Sequence, residues 1–291
     1  MKLDDVVKRI RGKAGTIVRL GVISEGSAET SIYDITRARI ELKDSEAKGT
    51  IIDQKGESES ESLKIGVINL PSFYMDMDAA RRGEKDFKST TRDVQVILDD
   101  FNSKDVDIVV LDLSQNGGGS LTEAINLTGL FIDTGPVVQV KGPDGKVQKY
   151  DDVQEGLSWN GPLVIKTSRF SASASEILAG AIRDYNRGII VGDESTHGKG
   201  TVQSLYPLDR YSRFQSKKGF GQLTLTIGKF YRVSGQGTQN KGVIPDINLP
   251  SFIDEETIGE ETKKNTLPWD QIMSLKYDSN LVFQQSIEKL K

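Results

Sequence analysis

The 291-residue chain contains no cysteine and a single histidine, His197. Without thiols there is neither a disulfide framework nor a thiolate metal site, and one histidine cannot build a multi-histidine metal centre. An excess of positive charge is missing too. The net charge of −4 argues against a nucleic-acid partner, which favours a basic surface. No apolar run approaches the roughly 18 residues of a membrane span. The start, MKLDDVVKRIRG, lacks the apolar stretch of a signal peptide. No internal repeat is found. What is present, 36% hydrophobic and 27% charged residues, is an ordinary globular composition, long enough for one sizeable core and a small second unit.

Residues 4–23 read as a short amphipathic helix, a Gly-centred turn and a strand alternating Ile17, Arg19, Gly21 and Ile23 with Val18, Leu20 and Val22. So short a piece cannot bury a core of its own and reads as the tail of a domain begun upstream. Residues 28–62, polar and with the run GESESES, read as a connecting arm with up to two short strands. From Lys64 the pattern changes. KIGVINLPSF, DIVVLDL (107–113), PLVIKT (162–167) and RGIIVGDE (187–194) are apolar runs suited to buried strands. Between them lie a polar helical region from Asp76 to Asn102, LTEAINLTGLF with helical spacing, and a helix whose apolar face is Ile177, Leu178, Ala181, Ile182 and Tyr185. This alternation predicts an α/β fold with a parallel portion of sheet. GQLTLTIGKFYRVSG (221–235) alternates like an exposed antiparallel strand, and the tail from Ile253 reads as acidic and then helical.

RFSASASEILAGA (169–181) holds serines at 171, 173 and 175 just before that helical face. Ser173 and Glu176 fit S-x-x-E, a capping box, and capping alone would give Ser173 a purely structural role. The same place suits catalysis, because a hydroxyl at a helix N-terminus faces amide donors that favour a developing oxyanion. A nucleophile needs a base. A Ser-His scheme would need His197. The alternative is Lys199 in THGKGT, a base only when its ammonium gives up its proton on desolvation; a Gly-Lys-Gly is otherwise a surface turn. The elbow G-x-S-x-G is absent. VGDESTHGKGT nearly reads as a P-loop, but it has one residue too many and Gly200 replaces the magnesium-binding hydroxyl, so a nucleotide is not expected.

LDLSQNGGG, SRFSASASEILAGAIRD and GKGTVQ, in that order, resemble the C-terminal processing peptidases, in particular their bacterial tail-specific branch. FYRVSGQGTQNKGVIPDI and GLFIDTGPVVQV resemble the same family. The resemblance spans essentially the whole chain. It implies a serine endopeptidase with a Ser-Lys dyad on a crotonase/ClpP-like α/β core, needing no metal or cofactor. On the same grounds residues 1–27 would be the end of a PDZ domain, 28–62 a connecting arm, 63–252 the protease core and 253–291 a C-terminal extension. The nucleophile falls on Ser173, the base on Lys199 and the lysine-orienting glutamine on Gln203. The oxyanion donors fall on the amides of Gly118 or Gly119 and of Ala174. An aspartate implicated in the tail-specific branch falls on Asp184, with Glu176 and His197 as further supporting residues. The substrates implied are proteins with apolar C-terminal tails, entering as extended chain, in the periplasm.

Two departures stand out. The family shows an aromatic residue before G-K-G; here His197 takes that place, as a filler or as a group that tunes Lys199, and the loop is one residue longer. An arginine of the family's D-L-R-x-N is Ser114 here. These changes motivate a second reading, a peptide-binding scaffold that has kept the fold and lost the chemistry.

Overall fold

A computed structural model describes residues 3–23, 29–38, 46–55, 62–210, 220–251 and 257–279. The chain divides into two units, Met1–Asp44 and Ser45–Lys291.

In the first unit, helix α1 (Leu3–Ile10) precedes strand β1 (Ile17–Ile23), which pairs antiparallel with β2 (Thr30–Thr36). Arg37 ties the pieces together. Its guanidinium donates to the carbonyls of Arg9 and Ile10 at the helix end and to Thr16 Oγ1 before β1. The strand expected at 17–23 therefore has a partner, and that partner lies in the segment read as a connecting arm. Both strands are largely exposed, with Ile17, Ile23, Ile32 and Ile35 in solvent.

In the second unit, β3 (Lys48–Gln54) also comes from the supposed arm, but it belongs to the main sheet as an antiparallel edge. That sheet has the order β12-β9-β8-β5-β4-β3, where β4 is Leu63–Asn69, β5 Ile108–Asp112, β8 Leu163–Thr167, β9 Ile189–Gly192 and β12 Ile247–Asn248. All five run parallel. Parallel neighbours need crossovers, and helices supply them. The polar region from Asp76 is two helices rather than one. Asp76 caps α2 (Met77–Arg81), the chain turns at Gly83, and Ser89 caps α3 (Thr90–Ser103). Helix α4 (Leu121–Gly129) follows β5, and α5 (Ala174–Asp184) joins β8 to β9. The core lies between sheet and helices: Ile68, Val109, Leu111, Leu163, Ile165 and Ile190 from strands meet Val94, Leu98, Leu127, Leu178 and Ile182 from helices.

A second, antiparallel sheet has the order β10-β11-β6-β7 (Thr201–Pro207, Gln222–Tyr231, Gly135–Lys141, Val147–Asp152). The strand expected at 221–235 is β11, central in this sheet and exposed only over its first part. Residues 257–279 contain no helix; they run beside the turn after β11, with amide bonds from Ile272 to Gly235 and from Leu275 to Val233. The remainder of the tail expected to be helical, 280–291, lies outside the described residues.

Candidate active site

The turn from β8 into α5 shows what each serine does. Ser171 Oγ donates to the Leu113 carbonyl at 2.8 Å and accepts the Ser168 amide at 2.9 Å. Ser175 Oγ donates to the Asn116 carbonyl at 2.8 Å. Both are fully buried, and both fasten the turn to the chain leaving β5. Ser173, between them, instead lines a cavity of about 450 Å³. Its backbone sits at φ 59°, ψ −110°, far from the extended geometry of an ordinary helix cap. Such a conformation in a residue with a Cβ costs on the order of 1–3 kcal/mol and persists only when the surroundings impose it.

The surroundings do impose it. The glycine loop after β5 is organised by Asn116, wholly buried. Its side chain donates to the Leu70 carbonyl at 3.0 Å and accepts the Gly118 amide at 2.9 Å, while its own carbonyl takes Ala172 N–H and Ser175 Oγ. Gly118 adopts φ 107°, and a Cβ there would lie 2.9 Å from that of Ser173, so only glycine lets the loop approach the serine this closely. The commitment to Asn116 has a further effect. The Gly118 amide, one of the expected oxyanion donors, is already engaged. Gly119 and Ala174 line the cavity, and no hydrogen-bond acceptor for either amide is found among the described residues.

Lys199 enters the same cavity from the loop between β9 and β10. Its ammonium donates to Gln203 Oε1 at 3.3 Å, so the lysine and its expected partner are together. Among the described residues no hydrogen bond joins that ammonium to the Ser173 hydroxyl. The remaining wall mixes apolar Leu121, Ile177, Val202, Leu205 and Phe230 with Thr201 and Thr224.

One carboxylate fastens the two segments. Glu176, fully buried in the first turn of α5, accepts the Ser173 amide at 2.7 Å, the Lys199 amide at 3.0 Å, the Gly198 amide at 2.7 Å and the Thr196 hydroxyl at 2.6 Å. Burial pushes its carboxyl up to about 7, against the pull of these four bonds, which favour the charged form. The return arm of the capping box, from glutamate to the Ser173 amide, is thus also the anchor of the loop that carries Lys199.

Two expected supporting residues lie elsewhere. His197 is not part of the cavity wall; its Nε2 is 3.0 Å from Lys263 Nζ and 3.5 Å from Glu260 Oε2, and burial and the Lys263 ammonium hold its imidazole below the ordinary value. A Ser-His pair therefore finds no support. Asp184 ends α5, eleven residues after Ser173, roughly 16 Å along the helix at 1.5 Å per residue. Buried, it pairs with Arg232 and accepts from Ser234, holding the end of β11 to the helix. It does not line the cavity.

Asn116, Thr196 and Gln239, which accepts the Gly200 amide at 2.9 Å, were not singled out from the sequence. Only Asn116 had a signal, its place ahead of three glycines. Among the described residues no group of three histidine or carboxylate side chains is arranged to hold a metal.

Residues 64–249 match the model of peptidase family S41, and the chain belongs to that family. It is 40% identical over 277 residues to the tail-specific protease of Haemophilus influenzae, an alignment covering 95% of this chain and 37% of that protein. It is 31% identical over 254 residues to the chloroplastic carboxyl-terminal-processing peptidase 2 of Arabidopsis thaliana, covering 87% and 44%. The chain thus spans less than half the length of these two relatives. In structure it is similar to the photosystem II D1 C-terminal processing protease, with a TM-score of 0.58 at 24% identity over 86% of this chain and 59% of that one. That likeness supports the mixed α/β fold. Among the described residues no helix is long and apolar enough to cross a membrane.

Proposed function

We propose that this chain is the catalytic part of a serine endopeptidase working through a Ser173–Lys199 dyad, on a core of the crotonase/ClpP-like kind. The observation that carries the reading is the joint placement of a conformationally strained Ser173 at a helix N-terminus and Lys199 in the wall of one cavity. An extended substrate filling the cavity displaces water from the lysine and favours the neutral amine. That amine takes the hydroxyl proton as Ser173 Oγ attacks the peptide carbonyl. The amides of Gly119 and Ala174 receive the oxyanion, each worth on the order of 3 kcal/mol. Lysine then protonates the leaving amine, and water releases the acyl group. Gln203, bonded to the Lys199 ammonium, orients the lysine.

The apolar part of the wall, Leu121, Ile177, Val202, Leu205 and Phe230, suits apolar side chains, in keeping with substrates bearing apolar C-terminal tails. The names of the relatives support such tail-directed cleavage, and action in the periplasm is part of the same proposal. On the same resemblance residues 1–27 are the end of a PDZ domain. The rival reading, a scaffold without chemistry, draws on the Lys199 ammonium being bonded to Gln203 rather than to Ser173.

A fluorophosphonate probe followed by peptide mass spectrometry separates the two. Labelling of Ser173 that disappears in Lys199→Ala, with cleavage of an unfolded protein bearing an apolar tail, supports the dyad. An unlabelled, inert chain supports the scaffold.

A further inference from the structure

Arg169 has no role in the dyad, yet its side chain makes as many hydrogen bonds around it as Glu176 does. It is 5% exposed, four residues before Ser173. Its amide donates to Asp193 Oδ2 at 2.8 Å. Its guanidinium uses the whole fork: Nε to the Ile258 carbonyl at 3.0 Å, Nη1 to Ser195 Oγ at 2.5 Å and to the Thr196 carbonyl at 3.0 Å, and Nη2 to the Glu261 carboxylate. Three segments meet on one planar cation: the serine turn, the Lys199 loop and residues 258–261 of the C-terminal segment. Gly259 fits the closeness of that meeting, since at φ 155° a Cβ there would fall 2.4 Å from Nη2.

The Lys199 loop is therefore gripped from two sides. Glu176 holds Thr196 by its hydroxyl and Gly198 and Lys199 by their amides; Arg169 holds Thr196 by its carbonyl and Ser195 by its hydroxyl. Between Gly192 and Thr201 the loop has no strand or helix of its own, and these side chains add to scattered backbone bonds with Ser171, Asn240, Val243 and Glu260 in holding it. We propose that Arg169 is a positioning residue for the base: through Thr196 it sets where Lys199 stands relative to Ser173, and through Glu261 it makes the C-terminal segment part of the catalytic apparatus. This rests on the proteolytic reading above. A lysine cannot substitute, because an ammonium lacks the planar fork that reaches three carbonyl and carboxylate acceptors at once.

The test compares Arg169→Lys, Arg169→Met and the milder Glu261→Gln, with active sites counted by fluorophosphonate titration. A residue that only stabilises the fold lowers the number of active sites and leaves turnover per site unchanged. A positioning residue lowers kcat per titrated site, on the order of 10- to 100-fold for both Arg169 variants and less for Glu261→Gln, since a misplaced group loses this much. KM stays within about twofold, because substrate contacts are untouched. Methylguanidinium added to Arg169→Ala restores part of the lost kcat. Unchanged kcat per site in all variants overturns the proposal. Amide exchange gives a readout independent of activity: Gly198 and Lys199 lose protection in Arg169→Met while β5 and β8 keep theirs. Unchanged protection there refutes the role even in a chain that cleaves nothing, whereas lost protection in an inert chain faults the proteolytic reading alone.

Discussion

The turn carrying Ser173 and the loop carrying Lys199 leave the C-terminal ends of neighbouring parallel strands, with Thr167 of β8 beside Gly192 of β9. They are held in different ways. The serine turn is short, leads directly into a helix, and buries Ser168, Ser171 and Ser175 against carbonyls of the chain leaving β5. The lysine loop has little internal bonding. It hangs on the side chains of Glu176, Arg169 and Gln239 and on backbone bonds to Ser171, Phe230, Asn240, Val243 and Glu260. The turn of the proposed nucleophile is thus tied mainly to one segment, the chain leaving β5, whereas the loop of the proposed base is tied to several remote segments.

Removing the reacting groups tests the comparison most severely. Ser173→Ala and Lys199→Ala each lower kcat against an unfolded protein substrate by on the order of 10³-fold or more, while thermal unfolding stays close to that of the unaltered chain. A large drop in Tm for either would mean that these side chains act mainly in packing.

Glu176→Gln comes next, since it cuts the tie between the two segments. The amide it introduces turns donors toward donors, so at least one buried amide loses its acceptor; the expected cost is about 1–3 kcal/mol, read from denaturant unfolding. Its pH behaviour sharpens the point. The folded chain binds the Glu176 proton more tightly than the unfolded chain, whose carboxyl titrates near 4.5, so stability falls as pH rises from about 4.5 to about 7 and then levels. Activity moves oppositely, rising toward pH 7 as the carboxylate that holds Gly198 and Lys199 forms. Melting and kcat measured across this range in Glu176→Gln lose both trends if the assignment is right.

Ser171→Ala and Ser175→Ala address the serine turn alone. Ser171→Ala removes two buried hydrogen bonds and Ser175→Ala one, at a cost of about 1–3 kcal/mol in denaturant unfolding with the larger loss for Ser171, and activity per folded molecule is retained. The smallest effect is expected for His197→Phe. Its imidazole contacts Lys263 and Glu260 outside the cavity, so cleavage stays within about threefold of the unaltered rate. Abolished cleavage would revive a histidine base.

Much of this was legible in the sequence for one reason. The apolar runs at 107–113, 162–167 and 187–194 and the face from Ile177 to Tyr185 are short-range periodicities, and burial follows directly from them. Gly83 and Ser89, which break the region from Asp76 into two helices, are equally local signals, readable though overlooked. Pairing was not legible. That Thr30–Thr36 joins Ile17–Ile23 while Lys48–Gln54 joins the main sheet depends on which distant strand offers an edge.

The amino-acid order alone determined the alternation of strands and helices, the helix start at Ser173 with Glu176 one turn on, and the residue types available for chemistry. Only the folded chain decided that Ser171 and Ser175 are fasteners and Ser173 is free to face the cavity. It also decided that Gly118 spends its amide on Asn116, that Asp184 serves β11, and that residues 258–261 brace the lysine loop. The physical reason is range. A helical face or a cap is written within a few residues, whereas a buried donor takes whichever acceptor the packing of remote segments brings within hydrogen-bond reach.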